Sequence, residues 1–312
     1  MAGPSGPAVR GAAVSAARGA GVSAARGAYV ALLGIDGTGK STLAAGLAER
    51  CQQVGQPVRS VSWRRLVESP TEPAGWPKDS LQNLWLEIFR LYYGGATLDG
   101  GARTMPGSYE ELVARGGTEH LHDAAVHGVR AHGPLAAALL EIAGNVLLQR
   151  DAIERWVAEG CVVIQESYGF KHVVKELLLV EELDPALAAE AALTLRFAHD
   201  FFGRVCAPEV GVLVAGDPEL ALRWRTAEVG RTGVFENFSV AGEDPDASFL
   251  ALQSRCTAIF ADFAAAYGWL HFEVHDVPPE RNRDRLLAAL APTPLGELLR
   301  LGAVREPGGV HR

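Results

Sequence analysis

The sequence predicts an α/β fold, with helices on both faces of a five-stranded parallel sheet in three layers, plus a helical insertion. Three observations carry this expectation. Short apolar runs of strand length alternate along the chain with amphipathic stretches of helical period. Several of these runs are continuously apolar, as strands buried on both faces must be. One glycine-rich turn, Gly34-Ile-Asp-Gly-Thr-Gly-Lys-Ser41, joins the first such run to the first helical stripe.

Composition sets the outer bounds. A chain of 312 residues, 48% hydrophobic and 21% charged, is long enough for one large α/β domain with a substantial core. A net charge of −8 argues against a field-driven grip on a nucleic-acid polymer. No apolar run is long enough to span a bilayer. Cys51, Cys161, Cys206 and Cys256 are far apart and form no CxxC pair, so a reduced, cytoplasmic protein is expected. Of 29 basic residues only Lys40, Lys78, Lys171 and Lys175 are lysine, a bias that reads as a GC-rich genome.

Along the chain, residues 1–28 hold a near-duplicated octapeptide and lack acids, aromatics and any large apolar cluster. Such a segment cannot offset its ordering entropy and is expected to be a disordered tail. An acid-poor leader bearing Arg and Ser also has the composition of a transit peptide. Order is expected from Tyr29, whose run to Leu33 reads as a buried strand. Leu43, Leu47, Cys51 and Val54 form a helical stripe closed by Gly55. Pro57–Ser62 alternates like a second strand. Residues 63–134 read as an insertion of short helices and loops, with a helix over Leu81–Tyr92. A helix is expected over Leu135–Glu159, a strand over Cys161–Gln165, a helix over Ala186–Phe202 and a strand over Val210–Ala215. Asp217-Pro218 is an N-cap with proline at the first helical position. A last helix carries Phe249, Leu252, Cys256, Ile259, Phe260, Phe263 and Tyr267 on one face, and Trp269–His275 is the last strand. The core domain is expected over 29–294, with a tail at 295–312.

The turn Gly34–Ser41 fits GxxxxGK[ST], the P-loop pattern of nucleoside-triphosphate sites. Glycines let successive amides converge on one anion, and the following helix N-terminus adds positive potential. Gly34, Asp36, Gly37, Thr38, Gly39, Lys40, Ser41 and Thr42 are therefore expected to hold ATP, with Lys40 on its β- and γ-phosphates and Ser41 ligating Mg²⁺.

The stretch Tyr29–Thr42, "YVALLGIDGTGKST", resembles the opening of thymidylate kinases and related P-loop nucleoside and nucleotide kinases. The resemblance runs over about 29–62 and 140–276 and is most specific at the turn. It implies that Asp36 meets the acceptor's sugar hydroxyl, with hydrogen bonding to its own loop as the structural alternative. Within "NVLLQRDAIERWVAEGCVVIQESY", Arg150 matches the family's helix arginine and Glu166 the acid at a strand's carboxyl end. Glu166 would order the Mg²⁺ shell through water or take the acceptor's proton. Arg150 falls among Leu139, Ile142, Ala143, Val146, Ile153 and Val157 at 100° per residue. A guanidinium on that stripe needs an anion, either a local acid or an acceptor phosphate.

Ser167 replaces the arginine that holds the acceptor phosphate in the family; either Lys171, or Arg64 and Arg65, take over that contact, or the acceptor carries no phosphate there. Tyr168 and Lys171 complete the expected acceptor set. "DPELALRWR" followed by Arg231 resembles the family's lid, placed at about 223–245. Of Arg223, Arg225 and Arg231, the latter two are favoured to neutralise charge during transfer; a solvated helix face is the alternative.

The resemblance implies ATP- and Mg²⁺-dependent phosphoryl transfer to a nucleoside monophosphate such as dTMP or a modified relative, in a possible homodimer. A kinase of a nucleoside or other hydroxylated small molecule, and a non-catalytic nucleotide-binding regulator, are the alternatives. The partner is a small-molecule acceptor, neither nucleic-acid polymer nor membrane. His120, His122, His127 and His132 crowd together without a zinc-ligand spacing. Trp85, Phe89, Tyr92 and Tyr93 lie at helical spacing, as core, as an interface or as a base-stacking platform.

Overall fold

The computed structural model describes residues 27–68, 78–117, 121 and 124–301. The chain begins with β1 (Ala28–Leu33), passes the glycine turn and enters α1 (Lys40–Gln53), then β2 (Val58–Val61). Next come α2 (Trp63–Glu68), α3 (Lys78–Tyr92), a two-residue strand β3 (Thr97–Leu98), α4 (Tyr109–Ala114) and β4 (Val126–His127), which pairs antiparallel with β3. A long helix follows as α5 (His132–Leu147), a π-helical stretch Leu148–Ile153 and α6 (Glu154–Ala158). The remainder is β5 (Val162–Gln165), α7 (Phe170–Leu183), α8 (Ala188–Arg204), β6 (Val210–Ala215), α9 (Pro218–Val229), α10 (Pro245–Ala266), β7 (Leu270–Glu273), α11 (Pro279–Leu290) and α12 (Pro294–Leu298).

The main sheet is parallel throughout, in the order β2-β5-β1-β6-β7. Side-chain alternation along β1 divides the core in two. Ala28, Val30 and Leu32 face Leu43, Leu47 and Cys51 of α1 with Leu286 and Leu290 of α11. Tyr29, Ala31 and Leu33 face the opposite layer, which includes Phe170, Phe202, Phe249, Phe260 and Phe263. These rings are buried, and each contributes roughly 1.5–3 kcal/mol relative to an exposed one. The fold is thus an α/β sheet covered on both sides. Among the described residues no helix is long and apolar enough to cross a membrane.

Several expectations need correction. The long helix buries only part of the expected stripe: Ile142 and Ile153 are buried and Val146 and Val157 half-buried, but Leu139, Ala143 and Arg150 are exposed. Leu139 is 49% exposed, while Glu141, Asn145 and Gln149, spaced four apart, are buried against the interior. Packing against α7 selects this face, although it is the more polar one. Over Leu148–Ile153 the helix widens to π spacing; Gln149 stays inside and the Arg150 side chain is 55% exposed, hydrogen-bonded to Glu154. The local acid is therefore the partner of Arg150.

At the far end, residues 295–301 are not a tail, because Leu295 and Leu299 are fully packed into the α1 core. Residues 302–312 lie outside the described residues, as do 1–26 with the octapeptide repeat, and β1 starts one residue ahead of Tyr29.

The aromatic group of the insertion is core. Trp85 packs on Trp63 and Phe89 at centroid distances of 5.6 and 5.5 Å. Trp63 in turn packs directly on α5 because residue 144 is glycine: a Cβ there would fall 1.6 Å from the indole. His127 and His132 are exposed, and His120 and His122 lie outside the described residues. Among the described residues no cluster of three or more His, Cys, Asp or Glu could hold a metal.

Candidate active site

Parallel open sheets bind ligands beyond the carboxyl ends of their strands, where the chain reverses its direction of sheet growth. That point here is the turn after β1, between β5 and β6. The turn approaches its neighbours closely. A Cβ on Gly34 would meet Val214 O at 2.4 Å, and one on Gly37, at φ 81°, would meet Ala221 O at 2.4 Å. Gly39, at φ 73°, faces open space and caps α1 without any side-chain hydrogen bond. The first turn of α1 carries no acid, so its amides and its dipole are left for an anion.

A cavity of about 610 Å³ opens over this turn. Asp36 through Leu43 form its floor, Glu166, Ser167 and Lys171 one wall, and Trp224, Arg225 and Glu236 another. A second cavity, of about 730 Å³, lies at the amino ends of β1 and β6. Its lining is mostly aliphatic, whereas basic side chains converge on the turn, and it is the turn that has the chemistry.

At the centre of that chemistry is Asp36. Lys171 donates to its Oδ1, Lys175 donates to Oδ2 at 2.9 Å, and Gln253 Nε2 donates to Oδ2 at 3.3 Å. Gln253 Oε1 accepts from the Asp36 amide at 3.0 Å. Burial pushes the carboxyl up, but Lys171, Lys175 and Lys40 outweigh it and hold Asp36 well below the usual range. It is an anion and a poor base. Lys40 is the converse. Its Nζ donates to Ile35 O and to Thr38 Oγ1 at 3.5 Å, both neutral acceptors. Burial and the repulsion of Lys171 pull it down to about 7, against the attraction of Asp36. Its direct hydrogen-bond partners thus leave its charge without a paired anion, with Asp36 and Glu236 acting only at longer range.

Lys175 is lowered by burial but held above its ordinary value by Asp36. His172 is kept neutral by burial and by the two lysines, and its Nε2 lies 3.3 Å from Ser167 Oγ. On the facing wall, Glu236 binds Arg225 through two hydrogen bonds of 2.9 and 2.6 Å, in the fork geometry specific to arginine.

The structure brings together Asp36, Gly37, Thr38, Gly39, Lys40, Ser41, Thr42, Glu166, Lys171 and Arg225, with Gly34 at the base of the turn. Glu166 stands at the carboxyl end of β5, half-buried. Three expected residues are not in the lining of this cavity. Arg150 points to solvent. Arg231 is exposed beyond the end of α9. Tyr168 is buried beneath the site, its hydroxyl donating to Phe202 O at 2.7 Å and Cys206 O at 3.1 Å, so its role is packing. Arg223 pairs with Asp276 at 3.1 Å, on the exposed side of α9.

Lys175, Glu236 and Gln253 escaped the sequence reading. Lysine scarcity was the available signal: three of the four lysines surround this one carboxylate. No protein-family model matches the chain, and no curated protein matches it.

Proposed function

We propose that the protein is a P-loop kinase that transfers a phosphoryl group from ATP to a nucleoside monophosphate. The observation that carries the proposal is the uncapped, acid-free start of α1 below a buried Lys40 whose hydrogen-bond acceptors are neutral, in a cavity large enough for a nucleotide. The residues fit the implied groups. The open space over Gly39 admits a phosphate against the backbone. Ser41 and Glu166 are oxygen donors on the same cavity, a set that suits Mg²⁺, which takes most of its shell from water and phosphate. When bound, Mg·ATP supplies the transferable phosphoryl group and an electrophilic shield for its oxygens.

The chain's own residues divide the remaining work. The turn amides and Lys40 bind and orient the donor, and Arg225 is placed to meet charge on the opposite side. Glu166 would help order the metal's water shell; only a hydroxyl acceptor has a proton to give up, and Glu166 is then the candidate to take it because Asp36 is too weak a base. Asp36 instead accepts a hydrogen bond and positions. Such a site works mainly by alignment and charge neutralisation.

A second reading, a kinase of a nucleoside or another hydroxylated molecule, is favoured by Ser167 and by Lys171. Lys171 would supply the missing phosphate contact, but it is engaged with Asp36. The test is to incubate the protein with Mg·ATP and a panel of nucleosides and monophosphates while following ADP. ADP that depends on monophosphates supports the first reading, and dependence on nucleosides the second. Binding without turnover on any acceptor supports a regulatory nucleotide-binding protein. Lys40→Ala should abolish turnover and keep the wild-type melting temperature, since Lys40 holds together only its own loop.

A further inference from the structure

The segment after α9 folds back into the site and places two consecutive side chains in two adjacent compartments. Glu236 enters the 610 Å³ cavity and takes Arg225, with Gly233 N donating to its Oε2 at 3.0 Å. Gln253 ties the Glu236 carbonyl, at 2.8 Å, to the Asp36 carboxylate. Phe235 turns the other way, into an aromatic slot at the end of α3. Its ring centroid lies 5.4 Å from that of Phe89, 4.5 Å from Tyr92 and 5.5 Å from Tyr93.

Behind Phe235 is a void of about 20 Å³, also lined by Tyr92, Lys175, Glu176 and Asn237. That is room for about one water. Glu176 is buried, and its Oε2 has no hydrogen-bond partner. Burial and the neighbouring Glu141, against Lys175, push the Glu176 carboxyl well above its usual range, which favours the protonated form that can donate as well as accept. A phenyl ring satisfies neither capacity; a flat ring with a polar edge would satisfy both.

We propose that Phe235 and Glu236 act as an internal stand-in for the acceptor: the ring fills the subsite for an aromatic base, the carboxylate fills the subsite for its anionic group, and an incoming nucleotide must displace both. This rests on reading the adjacent cavity as the phosphate site. Three features favour it together. An aromatic ring and an anion are the two recognition elements of a nucleoside monophosphate. They are held by an aromatic slot and by a guanidinium, which are the matching receptors. The slot ends on a buried carboxyl that the present occupant leaves unsatisfied. The same segment joins the Asp36 network, so displacing it also frees Gln253 and Arg225 to rearrange.

A self-ligand in place nine-tenths of the time weakens apparent affinity about tenfold. The experiment is calorimetric titration of dTMP, AMP, CMP and GMP into the full chain, wild type against Phe235→Ala and Glu236→Gln, with ATP titrated into each as a control. At least one monophosphate should bind Phe235→Ala about tenfold more tightly, and Glu236→Gln should likewise gain, with ATP affinity for Phe235→Ala unchanged. Equal or weaker monophosphate binding by the folded variants would overturn the proposal, as would failure of every monophosphate to bind any of the three proteins. Should Phe235→Ala not fold, Glu236→Gln, which keeps its volume, decides alone. If ATP fails to bind the wild type while monophosphate binding still tightens, the triphosphate reading falls and the stand-in survives.

Discussion

Asp36→Asn isolates the buried charge cluster. The substitution keeps the side-chain volume and an acceptor for Gln253, but leaves Lys171 and Lys175, with side chains 7% and 8% exposed, without their shared carboxylate. Removing one partner of a buried ion pair costs about 3–5 kcal/mol. The alternative, shedding a proton from one lysine at neutral pH, costs a similar amount: about 1.4 kcal/mol for each of roughly three units below its reference value. At roughly 2.1 cal/mol/K per residue, a domain of this size loses about 0.6 kcal/mol per kelvin near its midpoint, so melting should fall by about 5–9 °C. The pH dependence has a definite sign. In the wild type the folded-state pKa of Asp36 is depressed, so its contribution is present above the ordinary carboxylate range and is lost as pH falls through the folded value. In the variant the unpaired lysines have depressed folded values, so its stability rises as pH climbs toward the ordinary lysine range. The gap between the proteins should therefore stay wide from about pH 5 to neutrality and narrow as pH rises toward the ordinary lysine range, the acid-side loss falling below about pH 4. Thermal unfolding followed by circular dichroism from pH 4 to 9.5 checks this. A fall under about 2 °C, or a gap independent of pH, would refute the buried-cluster argument.

Three further outcomes are expected. If ATP binds at the turn, the Lys40 pKa should rise from about 7, so binding should take up protons and weaken as pH increases beyond that value; calorimetry in buffers of different ionisation enthalpy measures the uptake. Arg150→Met should leave the melting temperature and any acceptor binding essentially unaltered, since the side chain is exposed and pairs only one turn along its own helix; a selective loss of acceptor affinity would contradict its placement. Gly144→Ala should destabilise by roughly 1–3 kcal/mol by driving Trp63 off α5, with a changed tryptophan emission spectrum as the readout.

How much of this was legible in sequence depended on whether apolar periodicity coincided with burial. It did for the three central strands: Val210–Ala215 was bounded correctly, and β1 and β5 to within one residue, because a strand covered on both faces must be apolar throughout, whereas the short β3 and β4 of the insertion gave no such signal. The Asp217 cap also holds, its carboxylate accepting from the amides of Glu219 and Leu220. Periodicity failed where polar groups are buried. The sequence reading assigned no element over 170–183, because α7 buries Lys171, Lys175 and Glu176 beside its leucines and valines and so shows no clean polar face. The same cause misplaced the buried face of α5, whose interior row is Glu141, Asn145 and Gln149. The turn itself was readable because its chemistry is local. The partners of Asp36 were not, since Gln253 is 217 positions away and Glu236 bears on Arg225 across an irregular loop.

The last helix gives the end of the chain a mechanical job. Arg50, near the close of α1, donates to Leu299 O at 3.0 Å and Arg300 O at 3.1 Å, while Leu295 and Leu299 wedge under the same helix. α1 is thereby anchored at the end opposite the glycine turn, as a lever is pinned at its fulcrum. Trimming the protein back to residue 294 would release that anchor at Arg50, in the closing turn of α1, and loosen the helix that presents the turn while every residue of the turn is still present.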